Sequence, residues 1–411
     1  MKLPRDKLIA AAAIGVSAAF LLAGYEFLRS ASQSLYIGAY GASRLPVVMA
    51  LAPVGTLLFI WGYGWLLSLA GARRAMVMTC LAAAAGIVAC HAAIANGHRL
   101  AVALLYVLRE GYIVLLVEQV WSFINSTVRT EEGEKLNGPI CGIASLGAIG
   151  GGLMVKAWAT TAGTVNLPLF AALSLVPTAI LALIAYRCGG EPQPSAQEAH
   201  GRQGQLGFRL LFQNPLLRGL ALVVICSQIV STVLDLQLSY FVERFFSGQD
   251  ERTRWFGGYY AALNGGSAVF QFVVTPLLLS FAPLRLIHLT VPAVHATLAA
   301  LAWLFPSLRA ASTALAAFKI LDYSVFRGAK ELLYVPLSFD ARYRAKELID
   351  AFGYRFAKGS ASAALAVIGR FLVVPVSAFA ASSLTISICW FASVSLLFRP
   401  RTERSNPNVE R

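Results

Sequence analysis

Arg109 and Glu110, adjacent in the chain, stand inside an apolar run, and Glu118 follows them on the same stretch. Other apolar runs carry Lys156, Asp235, a group of Lys319, Asp322, Arg327, Lys330 and Glu331, and finally Arg370. A charge at the middle of a bilayer costs at least ~2.5–3.5 kcal/mol, so such residues need a partner or a watery cavity. The chemistry open to them is reversible ion pairing, in which a cation exchanges a carboxylate for an anionic ligand. Each also has a plainer reading. Arg109 and Glu110 fit a structural pair between helices, Lys330 and Glu331 fit side chains snorkelling at a cytoplasmic mouth, and Lys156 lies close to its helix end. Asp235 sits deep in its run with Ser231, Thr232, Gln237 and Ser239 nearby. Arg370 reads as mid-span, where pairing with substrate or a carboxylate accounts for it best.

Bond-making chemistry finds no support. The five histidines (His91, His98, His200, His288, His295) do not cluster, and no Ser/His/Asp grouping or metal-ligand spacing emerges. Six scattered cysteines include no C-x-x-C, so neither a disulfide framework nor a zinc site is indicated. The glycines at 142, 147, 150, 151 and 152 lack the GK[ST] ending of a phosphate-binding loop and sit in an apolar run, where small residues let helices approach. Asn264-Gly265-Gly266-Ser267 has the same reading, and Lys358-Gly359-Ser360 reverses the phosphate-loop order. No enzyme, cofactor or metal is expected.

The elements that must position these charges are membrane helices. Hydrophobic residues make up 57% of the 411, charged residues 13%, and the mean hydropathy is +0.66. A soluble domain carries about 25% charged residues, too many for this chain to qualify. The net charge of +14 arises mostly in short loops, without the basic stripe or the finger and helix-turn-helix spacings of nucleic-acid binding, so no nucleic-acid partner is expected. Twelve apolar stretches are placed at roughly 8–28, 46–71, 76–95, 100–122, 140–160, 167–186, 217–243, 256–280, 286–305, 310–331, 359–380 and 382–398. Runs this apolar satisfy their backbone only as helices. The first is read as a retained helix, being longer than the ~7–15-residue core of a cleavable signal.

With both termini in the cytoplasm, about twenty Lys and Arg fall inside. The opposite loops hold only Arg29, Arg44, Arg99, Arg252, Arg254 and Arg309. The longest polar insert lies near the middle, which divides the chain into a bundle over 1–186, a central cytoplasmic loop over 187–216, a second bundle over 217–398 and a tail over 399–411. Lys135 and Gly142 recur at Lys346 and Gly353 with one offset. The expected fold is therefore all-α membrane, about twelve transmembrane helices in two six-helix pseudo-repeat bundles. That is the plan of the major facilitator superfamily.

The segment from Tyr323 to Ser360, YSVFRGAKELLYVPLSFDARYRAKELIDAFGYRFAKGS, resembles a segment of the ATP/ADP translocases of plastids and intracellular bacteria. That family has a run like K-E-x-x-Y-I-P-L, then K/R-x-K-x-K-x-x-I-D, then R-x-G-K. Lys330, Glu331, Tyr334, Pro336, Leu337, Arg344, Lys346, Ile349, Asp350, Arg355 and Lys358 match in order. WSFINSTVRTEEGEKLNG, from Trp121, is similar to the family's F-W-x-F-A-N run through Trp121, Phe123, Asn125, Glu131 or Glu132, and Lys135. The likeness covers about sixty residues. It implies a twelve-helix carrier that exchanges nucleotides without hydrolysing them. Glu110 falls where the family has a membrane glutamate, and Asp235 where its second half has another. Met49 and Ser239 stand where the family has lysines.

A polytopic bacterial inner-membrane protein, multi-pass and monomeric, is thus expected to carry a nucleotide-like anion or a related phosphorylated anion by alternating access. Arg109, Glu110, Asp235, Lys330, Glu331, Lys358 and Arg370 are its expected substrate-binding residues. A carrier of another organic solute and a non-transporting membrane subunit are the alternatives.

Overall fold

The structure is a computed structural model that describes residues 4–127, 130–191, 214–335, 349 and 353–398, without the side chains of 128–135. Most of the central loop, the tail and the motif stretch 336–348, with Arg344 and Lys346, lie outside the described residues, as do Asp350 and the side chains of Glu131, Glu132 and Lys135.

Every regular element among the described residues is helical. In order they are α1 (Arg5–Tyr40), a 3-10 turn (Ala42–Arg44), α2 (Leu45–Ala95), α3 (Arg99–Thr127), α4 (Thr130–Ala162), α5 (Leu167–Gly189), α6 (Pro215–Phe245) and α7 (Gln249–Val269). A π-helical turn, Phe270–Val274, leads into α8 (Thr275–Phe281). Then come α9 (Leu284–Leu304), α10 (Leu308–Leu321), a second π turn at Asp322–Phe326, α11 (Arg327–Tyr334), α12 (Tyr354–Phe371) and α13 (Val376–Leu397). Nine of the described helices are long and apolar enough to cross a membrane. One of these, Ala42–Ala95, has 54 residues. At ~1.5 Å per residue it is far longer than the ~30 Å core of a bilayer. It breaks at Gly71, whose φ of 75° an L side chain rarely adopts.

Helix α1 organises the rest, packing on α5, α4, α3 and α7. Its 36 residues continue a dozen positions beyond the expected end at 28. Arg29, expected in an outer loop, is therefore a mid-helix residue. Lipid gives helices no hydrophobic reason to associate, so close approach must come from small residues and buried hydrogen bonds. Both occur here. A Cβ on Gly147 would stand 2.2 Å from the Ala19 carbonyl oxygen of α1, and one on Gly151 2.5 Å from that of Ala23. Gly152 and Gly257 meet in the same way between α4 and α7, within 2.9 Å of opposing backbone atoms. The glycine-rich stretch is thus a packing surface, as its sequence setting implies. Ser17 Oγ adds a bond to the Thr178 carbonyl oxygen at 2.8 Å, tying α1 to α5.

Near the C-terminus the expected span 359–380 is shorter. Helix α12 stops at Phe371 because Pro375 cannot join a helix interior, and the chain runs extended at Leu372 before α13 starts. Arg370 consequently stands in a last turn, exposed, and not at mid-span.

Hydrogen bonds join α1–α5 to α6–α13 at the end remote from the N-terminus. Ser34 Oγ donates to the Gln249 carbonyl (2.7 Å), the Ala42 amide to Glu243 Oε2 (3.1 Å), and the Thr164 amide to Asp250 Oδ1 (2.7 Å).

The glycine contacts yield a test. Gly147→Ala should lower the thermal midpoint of the purified protein by the equivalent of ~1–3 kcal/mol, the usual cost of overpacking. Gly150→Ala, where nothing lies within 4 Å of the added carbon, should leave it unchanged or raise it slightly.

Candidate functional site

Glu110 on α3 is held by two cations from different parts of the chain. Its Oε1 accepts from both Arg109 Nη2 at 2.7 Å and Nε at 3.2 Å, two charge-assisted bonds to one oxygen. Its Oε2 lies 3.6 Å from Lys358 Nζ on α12. The Glu110 and Lys358 side chains keep 23% and 30% of their surface accessible, so the pair is a cavity contact and not a sealed one. The cavity, about 110 Å³, is lined by Met49, Thr56, Tyr106, Glu110, Arg355 and Lys358 among others.

Arg109 is nearly enclosed and spends its remaining donors on α1. Nη1 reaches the Arg29 carbonyl oxygen (3.3 Å), Ser32 Oγ (3.1 Å) and Gln33 Oε1 (3.3 Å), and the guanidinium lies 3.8 Å from the centre of the Tyr106 ring. Arg109 is therefore a fixed strut, whereas Lys358 is the adjustable partner.

A second chain of contacts crosses the same plane. Asn264 Nδ2 on α7 donates to Glu26 Oε1 on α1 at 2.9 Å, and Glu26 pairs with Arg29 at 3.6 Å. The Arg29 guanidinium sits 3.6 Å above the Tyr260 ring of α7, a cation–π contact that the dry surroundings strengthen. Gln33 Nε2 donates to Ser239 Oγ on α6 at 2.9 Å. Asp235, half-buried on α6, lies within electrostatic reach of Lys358, Tyr106 and Tyr260. Glu26, Arg29, Arg109, Glu110, Asp235 and Lys358 thus pool three positive and three negative charges between the two sets of helices.

Lys330 and Glu331 belong elsewhere. Lys330 is buried with its Nζ 5.2 Å from the centre of the Tyr354 ring, and Tyr354 donates to Asp322 Oδ1 at 3.4 Å. Lys319 Nζ donates to Ser231 Oγ at 2.8 Å on the same side. This cluster surrounds the π turn that carries Asp322, and it lies within α6 and α10–α12. Glu331 is half-buried on α11. Of the seven expected binding residues, Arg109, Glu110, Asp235 and Lys358 come together; Lys330 joins the second cluster; Glu331 follows it on α11; Arg370 stands on the exposed end of α12, about 18 Å along its axis from Lys358 at ~1.5 Å per residue.

Glu26, Arg29, Gln33 and Asn264 were missed. The signal for the first three was present: positions 26, 29, 30 and 33 are polar at i, i+3, i+4 and i+7, one face of a helix. Ending the first span at 28 hid it. Asn264 stood in a stretch legible as packing only.

No family model matches the sequence, and no curated protein sequence matches it. Solved structures do match, at identities that carry the fold alone. The nucleoside transporter NupG aligns with a TM-score of 0.65 at 13% identity, covering 96% of this chain and 100% of that one. A D-xylose–proton symporter aligns at 0.64 and 13%, covering 92% and 96%. A bacterial homologue of the human lysosomal transporter Spinster, in an inward-facing and unoccupied conformation, aligns at 0.61 and 15%, covering 96% of each chain. The fold is that of major facilitator-type transporters.

The geometry predicts strong coupling at Glu110. Glu110→Ala should lower the thermal midpoint markedly, because it strands one buried and one half-buried cation. In a double-mutant cycle with Lys358→Ala, the combined loss should fall short of the sum by ~0.5–3 kcal/mol, and strict additivity would show that the 3.6 Å pair carries no energy.

Proposed function

We propose that this chain is a secondary carrier of a nucleotide-like or related phosphorylated anion, working by alternating access. The observation that carries the reading is Glu110, held at once by Arg109 from the first half and Lys358 from the second. An anion entering the cavity can take the place of Glu110 at Lys358. The pair that links the halves then opens, and the free-energy difference between the two arrangements biases one half to rock against the other. Bidentate guanidinium and ammonium contacts are what a phosphate needs to replace its hydration. Arg355 and Lys358 both line the cavity, beside Tyr106. The bonds at Ser34, Ala42 and Thr164 would be the gate remote from the termini.

In this reading the chain makes twelve crossings in two six-helix bundles, 1–186 and 217–398, joined by the loop 187–216. Both termini and the tail 399–411 lie in the cytoplasm of a bacterial inner membrane, and the monomer is the working unit. The likeness to a nucleoside transporter fits a substrate with a ring and a sugar, and exchange fits a site whose empty state is already charge-balanced.

Met49 and Ser239 favour a second reading. Met49 lines the cavity and Ser239 accepts from Gln33 at mid-height, and these are the two positions where the resembled family has lysines. A site short of two cations suits a less highly charged organic solute.

Uptake of radiolabelled ADP and ATP into proteoliposomes distinguishes the two. Saturable uptake that falls at least ~10-fold in Lys358→Gln is expected, about 1.4 kcal/mol of lost binding. Absence of saturable uptake, with no competition by any nucleotide, removes the nucleotide reading. A metabolite that raises the melting point of the wild type but not of Lys358→Gln would then identify the other solute.

A further inference from the structure

A cavity larger than the central one lies elsewhere in the described structure. A groove of about 900 Å³ lies between the C-terminal end of α6, the start of α7 and the start of α10, lined by Phe241, Arg244, Phe246, Trp255, Leu308 and Arg309 among others. A second hollow of about 600 Å³, lined by Lys156, Glu251, Arg254 and Tyr259, shares Phe246 and Trp255 with it. The two adjoin at these residues, at the helix ends on the side remote from the N-terminus.

Their walls and their charges are of different kinds. Trp255 stacks on Tyr259 at 5.0 Å and 8°, with Phe246 at 6.1 Å from Trp255 and Phe245 next to it at 4.9 Å. Along the rim stand Arg244, Arg254, Arg309 and Lys156, all exposed, against the single carboxylate of Glu251. Behind the rim, Glu243 and Asp250 accept from the Ala42 and Thr164 amides and keep their negative charge, so the lining itself carries four cations against one carboxylate, with two further carboxylates nearby. Arg252 is buried beneath, donating to the Phe246 carbonyl oxygen at 3.4 Å. Two of the few arginines expected on this side, Arg254 and Arg309, line these adjoining hollows.

Aromatic walls with a cationic rim, set at helix ends, match the height at which a bilayer changes from acyl chain to headgroup. A small inorganic anion would need the cations but would gain nothing from exposed Phe245 and half-buried Trp255. An amphiphile uses both. We propose that this groove binds an anionic phospholipid of the surrounding leaflet, its phosphate between Arg244 and Arg309 and its chain along Phe241, Phe245 and Phe246. The rim cations of the groove are distinct from those of the central charge cluster, and the proposal does not depend on which solute is carried.

Native mass spectrometry of the full-length protein, released from mixed micelles of phosphatidylglycerol and phosphatidylcholine, tests it. Wild type should retain phosphatidylglycerol in preference. Arg244→Gln/Arg309→Gln should lose about fivefold of that preference per arginine removed, as expected for cations beside an anionic lipid surface, with phosphatidylcholine retention unchanged. Arg244→Lys/Arg309→Lys should keep most of it. Arg99→Gln, an exposed arginine outside the groove, should behave as wild type. The proposal is overturned if the double Gln variant retains phosphatidylglycerol fully, if Arg99→Gln loses it equally, or if millimolar inorganic phosphate displaces the lipid. The double Gln variant should melt in phosphatidylcholine as wild type does, which keeps a loss of folding from passing as a loss of lipid.

Discussion

The organisation of this protein depends on the cost of ionised side chains where water is scarce. An isolated charge there is expensive, and breaking a buried pair is more expensive still, because it strands the survivor. Glu110 meets that constraint by accepting from Arg109 and Lys358 at once. Since Arg109 is anchored to α1 through Ser32, Gln33 and the Arg29 carbonyl, the carboxylate is a rigid feature of the first half offered to a movable cation of the second.

The second constraint is close packing without a hydrophobic force. The α1–α4 and α4–α7 contacts have backbone against backbone at Gly147, Gly151, Gly152 and Gly257, and this brings the Glu26–Asn264 bond within reach. The polar crossing at mid-height thus depends on side chains that are absent. The two π turns, at Phe270–Val274 and Asp322–Phe326, pack against each other in the second half. Such turns release backbone groups from the regular ladder and often accompany functional sites. One of them carries buried Asp322.

Much of the candidate site was legible in the sequence, since Arg109, Glu110 and Asp235 are conspicuous in otherwise apolar runs and Lys358 falls in the resembled motif. Grouping them was not. Lys330 and Glu331 looked equivalent to Lys358 by their place in the resembled motif, yet Lys330 turns to Tyr354 and Asp322. Arg370 looked central because the apolar run seemed to continue through Pro375.

From the sequence alone came the class of the fold, its helical periods and the identity of most buried charges. Those follow from local rules: apolar length, backbone satisfaction and the penalty on ionic groups. The partner of each charge was decided only in three dimensions. A carboxylate at 110 meets an ammonium at 358, and a glutamate at 26 meets an amide at 264, because helices distant in sequence are brought within 3–4 Å at one height. Coulomb energy between such groups varies inversely with a separation that no run of neighbouring residues encodes.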